Sequence, residues 1–138
     1  LTDQTGQDVS SEDYAGKRLL LSWHPLAFTS VCTDQMRDLA KNYETLKAKN
    51  TVPLGISVDA QPAKAVWAQS IGVDPEEVKL LADFGPFAGY TKELGLFLED
   101  LGASKRVNLL TDEDHVVTWM KVYEVSELPD MEEVLEQL

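Results

Sequence analysis

The chain has 138 residues, 43% of them hydrophobic, with 24 acidic against 12 basic side chains and a formal charge of −12. That length suits one domain with its own core and needs no disulfide or metal staple; the hydrophobic share argues against disorder, and no apolar run is long enough to span a membrane. The negative charge opposes binding to nucleic acid or anionic lipid, and a single cysteine, Cys32, rules out an internal disulfide framework.

Residues 1–9 read as the end of a strand, a turn at Asp3-Gln4-Thr5-Gly6 and a return carrying Val9. The opening has neither the basic nor the apolar region of a secretion signal, which points to the cytoplasm, and a start at Leu rather than Met implies native residues upstream. Ser10 to Tyr14 has the hydroxyl and acidic composition of a short capped turn, and Gly16 leads into an apolar strand over 18–24. From Phe28 or Thr29 a helix is predicted to run to Lys49, with Met36, Leu39, Tyr43 and Leu46 recurring at three and four positions and Asn50 as a stop.

Residues 52–58 are apolar with little alternation, as in a central strand covered on both faces, and Pro53 belongs near its start. Asp59 or Gln61 then precedes a helix through Ala63, Val66, Trp67 and Ile71, with Pro62 suited to its first turn and Gly72 to its end. Leu80-Leu81-Ala82 is a short apolar run broken by Phe84-Gly85-Pro86, and a helix from Phe87 to Leu94 closes at Gly95. Strands over 106–110 and 115–121 flank the acidic turn Thr111 to Asp114 as a hairpin, and a last helix after Pro129 turns Met131, Val134, Leu135 and Leu138 inward. Glu124, Glu127, Asp130, Glu132, Glu133 and Glu136 keep that end solvated. The order describes a single α/β domain on a mixed sheet, without linker, repeat or low-complexity tract.

Cys32 falls between the 18–24 strand and the helix that follows. It therefore sits at or near a helix N-terminus, where free backbone N–H groups and the helix dipole favour a thiolate. Taken alone, a lone cysteine is a small buried hydrophobe. Pro25, Thr29 and Cys32, however, form a Pro-x-x-x-Thr-x-x-Cys pattern that resembles the peroxiredoxins, the alkyl hydroperoxide reductase and thiol-specific antioxidant family. Gly55 to Asp59, Trp67 after a helix start, and Arg106 opening a late strand also fall where that family would have them. The resemblance covers nearly the whole chain. With one cysteine it looks most similar to the small bacterial alkyl hydroperoxide reductase E group, and Phe28 to Thr33 also resembles the larger one-cysteine class.

The resemblance implies a thioredoxin-like fold, with one further strand before residue 1, and a thiol-dependent peroxidase acting on hydrogen peroxide or organic hydroperoxides. It casts Cys32 as the nucleophile that becomes a sulfenic acid, and Thr29 as the group that positions peroxide and thiolate. Pro25 becomes the shield of the sulfur, and Arg106 the charge that reaches back to it. The backbone amides of Val31 and Cys32 would donate to the peroxide. Without the resemblance, Thr29 is a helix cap, Pro25 a turn proline and Arg106 a solvated surface residue beside Lys105.

An ordinary thiol, with a pKa of about 8.5, is already roughly 3% ionised at pH 7, so favouring the thiolate adds at most about thirtyfold. An efficient peroxidase must also stabilise the departing oxygen. Gln35 stands where many relatives carry glutamate, which keeps hydrogen bonding but removes a charge from the expected ion-pair network. Trp67 reads as core packing. His24 and His115 make no ligand cluster with Cys32, so neither metal nor cofactor is expected. No resolving cysteine exists, which leaves an external thiol or thiol protein as reductant. The family and the aromatics Phe28, Phe84 and Phe87 suggest a homodimer, although core packing accounts for them nearly as well. The competing reading is a redox-sensing interaction module in which oxidation of Cys32 alters a partner surface.

Overall fold

The computed structural model describes residues 1–138. Five strands form the main sheet: β1 (Arg18–Trp23), β2 (Thr51–Ser57), β3 (Lys79–Ala82), β6 (Arg106–Thr111) and β7 (Val117–Tyr123), in the order β3-β2-β1-β6-β7. A second, two-stranded ribbon pairs β4 (Phe97–Leu98) with β5 (Ala103–Ser104). β1, β2 and β3 are parallel, so each join needs a crossover; α1 (Ser30–Lys41) with α2 (Tyr43–Ala48) supplies the first and α3 (Gln61–Ile71) the second. β6 runs antiparallel to β1 and turns directly into antiparallel β7.

The central position of β1 explains its largely apolar run. Leu20 packs with Cys32, Met36, Leu39, Trp67 and Leu110 on one side, while Leu19, Leu21 and Trp23 pack with Leu54, Ile56, Val107 and Leu109 on the other. Each fully buried leucine of this kind contributes roughly 1.5–3 kcal/mol. β2 accepts Pro53 because pairing with β3 begins only at Leu54, so no β3 ladder bond calls for the N–H that proline lacks. Its Gly55 is required by close packing: a Cβ there would stand 2.5 Å from Met36 Sδ and 2.9 Å from Leu80 Cδ2. The residue thus lets α1 sit tightly against the sheet.

Several predicted boundaries move. The helix expected from 28 or 29 to 49 is two helices, because Asn42 (φ −98°, ψ 9°) leaves the helical region and its side chain donates to the Asp38 carbonyl. The helix expected over 87–94 shortens to α4 (Gly89–Glu93), preceded by Ala88 at φ 52°. The last strand starts at Val117 rather than 115, since His115 takes a positive φ of 63° in the turn. The ribbon of β4 and β5 was not predicted. α3 starts at Gln61 with Ala60 as its N-cap, so Gln61 is the first helical residue and neither Asp59 nor Gln61 caps it; Pro62 in its first turn and Gly72 in the left-handed region (φ 74°) agree with the sequence reading. α5 (Met131–Leu135) buries Met131 and Val134, with Leu135 and Leu138 packed against the same core. At the start of the chain, Thr2 bridges both Asp8 and Ala82, so the opening turn is tied to β3.

Candidate active site

α1 begins with Thr29 in the N-cap position, but the Thr29 side chain makes no capping bond. Its hydroxyl instead donates to the Leu26 carbonyl at 2.7 Å, which leaves its lone pairs free to accept. The cap reading of Thr29 is therefore replaced by a loop-bracing one. The first amide near the start of α1 to find an acceptor is Thr33 N–H, which donates to the Thr29 carbonyl; the amides of Val31 and Cys32 are left without one. These are the orphan donors of a helix start, at the turn that carries the cysteine.

Cys32 is 1% exposed. With Pro25, Thr29, Arg106, Leu101 and Val125 it lines an open pocket of about 200 Å³. Pro25 is buried, and the structure brings it to this pocket together with Thr29, Cys32 and Arg106. These four were singled out from the sequence and lie together although 74 residues separate Cys32 from Arg106.

Arg106 is held by its fork. Nε donates to the Val125 carbonyl at 3.0 Å, Nη2 donates to the same oxygen, and Nη1 donates both to Gln35 Oε1 at 2.7 Å and to Cys32 Sγ at 3.4 Å. Arg106 is 2% exposed, yet the ion pairs of the molecule, Lys79–Asp3 and Lys121–Glu133, leave it without a carboxylate. Burying a charge without a counter-ion is costly, and this unmatched cation has Cys32 Sγ within hydrogen-bond reach. Arg106 is consequently no solvated surface residue.

Gln35 explains the missing ion pair. Its Nε2 donates to Ser22 Oγ at 2.7 Å and to the Trp23 carbonyl at 3.1 Å, while Oε1 takes Arg106. A glutamate in this place could pair with Arg106 but could not donate to the Trp23 carbonyl. Trp67 is fully buried, with Nε1 donating to Thr33 Oγ1 at 3.3 Å, so it packs α3 against α1 as expected. No group of three or more His, Cys, Asp or Glu side chains gathers with metal-binding geometry.

The sequence reading missed a buried polar group beside this site. Lys64 and His24 are both fully buried and in contact, Lys64 Nζ lying 3.1 Å from His24 Nε2. The available signal was Lys64 itself: it stands three, four and seven residues before Trp67, Ala68 and Ile71, on the face of α3 that should be wholly apolar. Phe28, Phe84 and Phe87 are 59%, 52% and 45% exposed, so core packing does not account for them. Phe84, Phe87 and Phe97 form an edge-to-face chain on the surface.

Residues 1–120 match the AhpC/TSA family. Alkyl hydroperoxide reductase E of Mycobacterium tuberculosis is 29% identical over 131 residues, which cover 94% of this chain and 84% of that protein. Thiol peroxidase of Oceanobacillus iheyensis is 33% identical over 127 residues, covering 91% and 74%. The reduced 2-Cys peroxiredoxin of Plasmodium vivax superposes with a TM-score of 0.85 at 24% identity, covering 97% of this chain and 73% of that one. The structural likeness carries the fold, which is thioredoxin-like: a mixed central sheet flanked by helices.

Proposed function

The chain belongs to the AhpC/TSA family, the peroxiredoxins, and from that premise we propose that it reduces hydrogen peroxide and organic hydroperoxides through a sulfenic acid on Cys32. The observation that carries this reading is the buried Arg106 guanidinium, unpaired with any carboxylate and aimed at Cys32 Sγ. The Cys32 thiolate attacks the distal peroxide oxygen; an S–O bond forms, the O–O bond breaks, and the departing oxygen takes up a proton and leaves as water or alcohol. Sulfur loses two electrons and the peroxide gains them.

Each residue of the pocket has a part in that step. Arg106 stabilises the thiolate and the charge passing to the peroxide. The Val31 and Cys32 amides donate to the peroxide oxygens, and the Thr29 hydroxyl, its own proton committed to Leu26, accepts from the peroxide O–H. Pro25 covers the sulfur and limits water. Gln35 fixes Arg106 without neutralising it, and Trp67 holds α3 against α1. Residues 1–138 act as one domain. A cytoplasmic setting, where thiol reductants are maintained, suits a one-cysteine enzyme; no helix is long and apolar enough to cross a membrane.

Regeneration needs an external thiol, because Cys32 is the only cysteine and is buried. That thiol displaces water from the sulfenic acid, and a second equivalent reduces the mixed disulfide. One equivalent of peroxide is expected to give mainly a Cys32 sulfenic acid that dimedone traps. Turnover resumes on adding thiol, and excess peroxide drives the residue to sulfinic acid with activity that thiols do not restore. Intact-mass analysis decides: a dominant species of twice the chain mass that collapses on thiol addition would replace this mechanism with an intersubunit disulfide. Absence of any peroxide reaction at Cys32 would remove the peroxidase reading altogether.

A homodimer formed over the exposed Phe28, Phe84 and Phe87 completes the proposal, since water contact with three large aromatics is unfavourable and Phe28 stands in the loop before Cys32. Sedimentation is expected to show dimers at micromolar concentration. A monomer throughout that range removes this part.

A further inference from the structure

Beneath the loop that carries Pro25 runs a polar chain that the steps above leave unused. Lys64 Nζ donates to Ser57 Oγ and contacts His24 Nε2 at 3.1 Å. Ser57 Oγ donates to Asp59 Oδ2 at 2.6 Å, and that same carboxylate oxygen accepts the Ala27 N–H at 2.9 Å. One amine therefore reaches both supports of the loop. His24 immediately precedes Pro25, and Ala27 stands two residues before Thr29.

A leucine would fill the Lys64 position at lower cost, because a buried amine loses its hydration and recovers it only through good hydrogen bonds. We propose that Lys64 is a positioning residue whose state of protonation sets the geometry of the His24–Thr29 loop, and through it the reaction of Cys32 with peroxide. The proposal rests on the reading of Cys32 as the reacting group.

The two states differ in bonding. The ammonium form donates to Ser57 Oγ and to His24 Nε2, so the imidazole proton lies on Nδ1, and an ammonium–hydroxyl–carboxylate relay ties Lys64 to Asp59. The neutral amine has a lone pair that accepts from His24 Nε2–H, which moves the imidazole proton across the ring and leaves Asp59 without its cation. His24 Nδ1 has no well-formed hydrogen bond to oppose that exchange. The Ala27 amide, and the Pro25 turn beside His24, sit at the two ends of the change.

The groups facing Lys64 place the change in the neutral range. Burial is the largest influence and lowers its pKa from 10.5 to about 7, while the negative charges of Asp59, after β2, and Cys32, on α1, oppose the fall. His24, at the end of β1, is held well below its ordinary range by burial first and by the Lys64 charge next. A favourable Ser22 backbone contact offsets part of this, and the Arg106 charge from β6 adds to it. On α3 itself the Trp67 ring lies 5.8 Å from Nζ and favours the cation. His24 therefore stays neutral while Lys64 titrates.

The test reads the loop and the chemistry separately. In the wild-type protein the ¹⁵N–¹H resonance of Ala27 is followed across the neutral range, and an inflection near 7 is expected. Lys64→Met, which keeps the aliphatic stem and removes the amine, should abolish that inflection and slow sulfenic acid formation about tenfold per thiolate, the thiolate content being fixed by alkylation. It should also remove the neutral-range component of the rate–pH profile. Ser57→Ala, which cuts the relay but keeps the amine, should preserve the Lys64 titration and lose the Ala27 response, and it serves should Lys64→Met fail to fold. A flat Ala27 titration in the wild type, or the same rate–pH profile in Lys64→Met as in the wild type, overturns the proposal. An Ala27 inflection in a protein whose Cys32 ignores peroxide would instead sink the peroxidase reading.

Discussion

Arg106→Met is expected to lower the rate of Cys32 oxidation by hydrogen peroxide at least about a hundredfold, the loss typical of removing a preorganised donor from a developing oxyanion. The effect is large because one side chain supplies both the charge and the direction. Nε and Nη2 on the Val125 carbonyl and Nη1 on Gln35 Oε1 fix the guanidinium plane, so that the remaining Nη1 bond points at Sγ. Arg106→Lys restores a positive charge but not the fork, since an ammonium cannot span Val125, Gln35 and Sγ in one geometry. Alkylation rates across pH are therefore expected to recover more in Arg106→Lys than stopped-flow peroxide rates do. Equal recovery of both would show that only the charge matters. Both variants leave the Val125 carbonyl short of donors, so denaturant titrations must first establish that they are folded.

Why the residues around Arg106 were partly legible follows from how far apart they lie. Pro25, Thr29 and Cys32 fall within eight successive positions that run from the end of β1 into α1, and local geometry alone brings them to one pocket. Arg106 lies on another strand, and only resemblance to a family linked it to Cys32; composition and periodicity had nothing to say about β6 lying beside β1. The main strands were legible because β1 and β2 are covered on both faces and so are largely apolar. The break at Asn42 was not, because Met36, Leu39, Tyr43 and Leu46 keep helical spacing across it, and what ends the helix is a side-chain bond to the Asp38 carbonyl. β4 and β5, two residues each, are too short to carry any alternation. Gln35 was noticed as a lost charge, yet its gain, a donor for the Trp23 carbonyl, depends on a contact with another element. Lys64 shows the opposite failure: its spacing from Trp67, Ala68 and Ile71 puts a cation on an apolar face, and the sequence reading passed over it because lysines are usually solvated.

The same lysine leads to a large expected effect on stability. The folded protein holds the Lys64 pKa at about 7, against 10.5 for an ordinary lysine, and the group is fully buried, so solvent screening does not discount the shift. Between those two values the unfolded chain binds a proton that the folded chain does not, and wild-type stability therefore gains from rising pH through that window. Below about 7 both states are protonated and the whole penalty of burying the cation is present. By pH 10.5 it is largely gone. The displacement corresponds to roughly 5 kcal/mol, an appreciable part of the stability of a domain this size. Lys64→Met carries no such penalty, so its advantage over the wild type is expected to be greatest at and below neutral pH and to shrink by several kcal/mol on the way to pH 10.5. Tyrosine ionisation and the repulsion of an acidic chain weaken both proteins at high pH and cancel in the difference. Urea unfolding of the two proteins in parallel at several pH values measures it directly. Two curves separated by a constant offset would mean that Lys64 keeps its proton in both states and that the amine is never neutral in the fold.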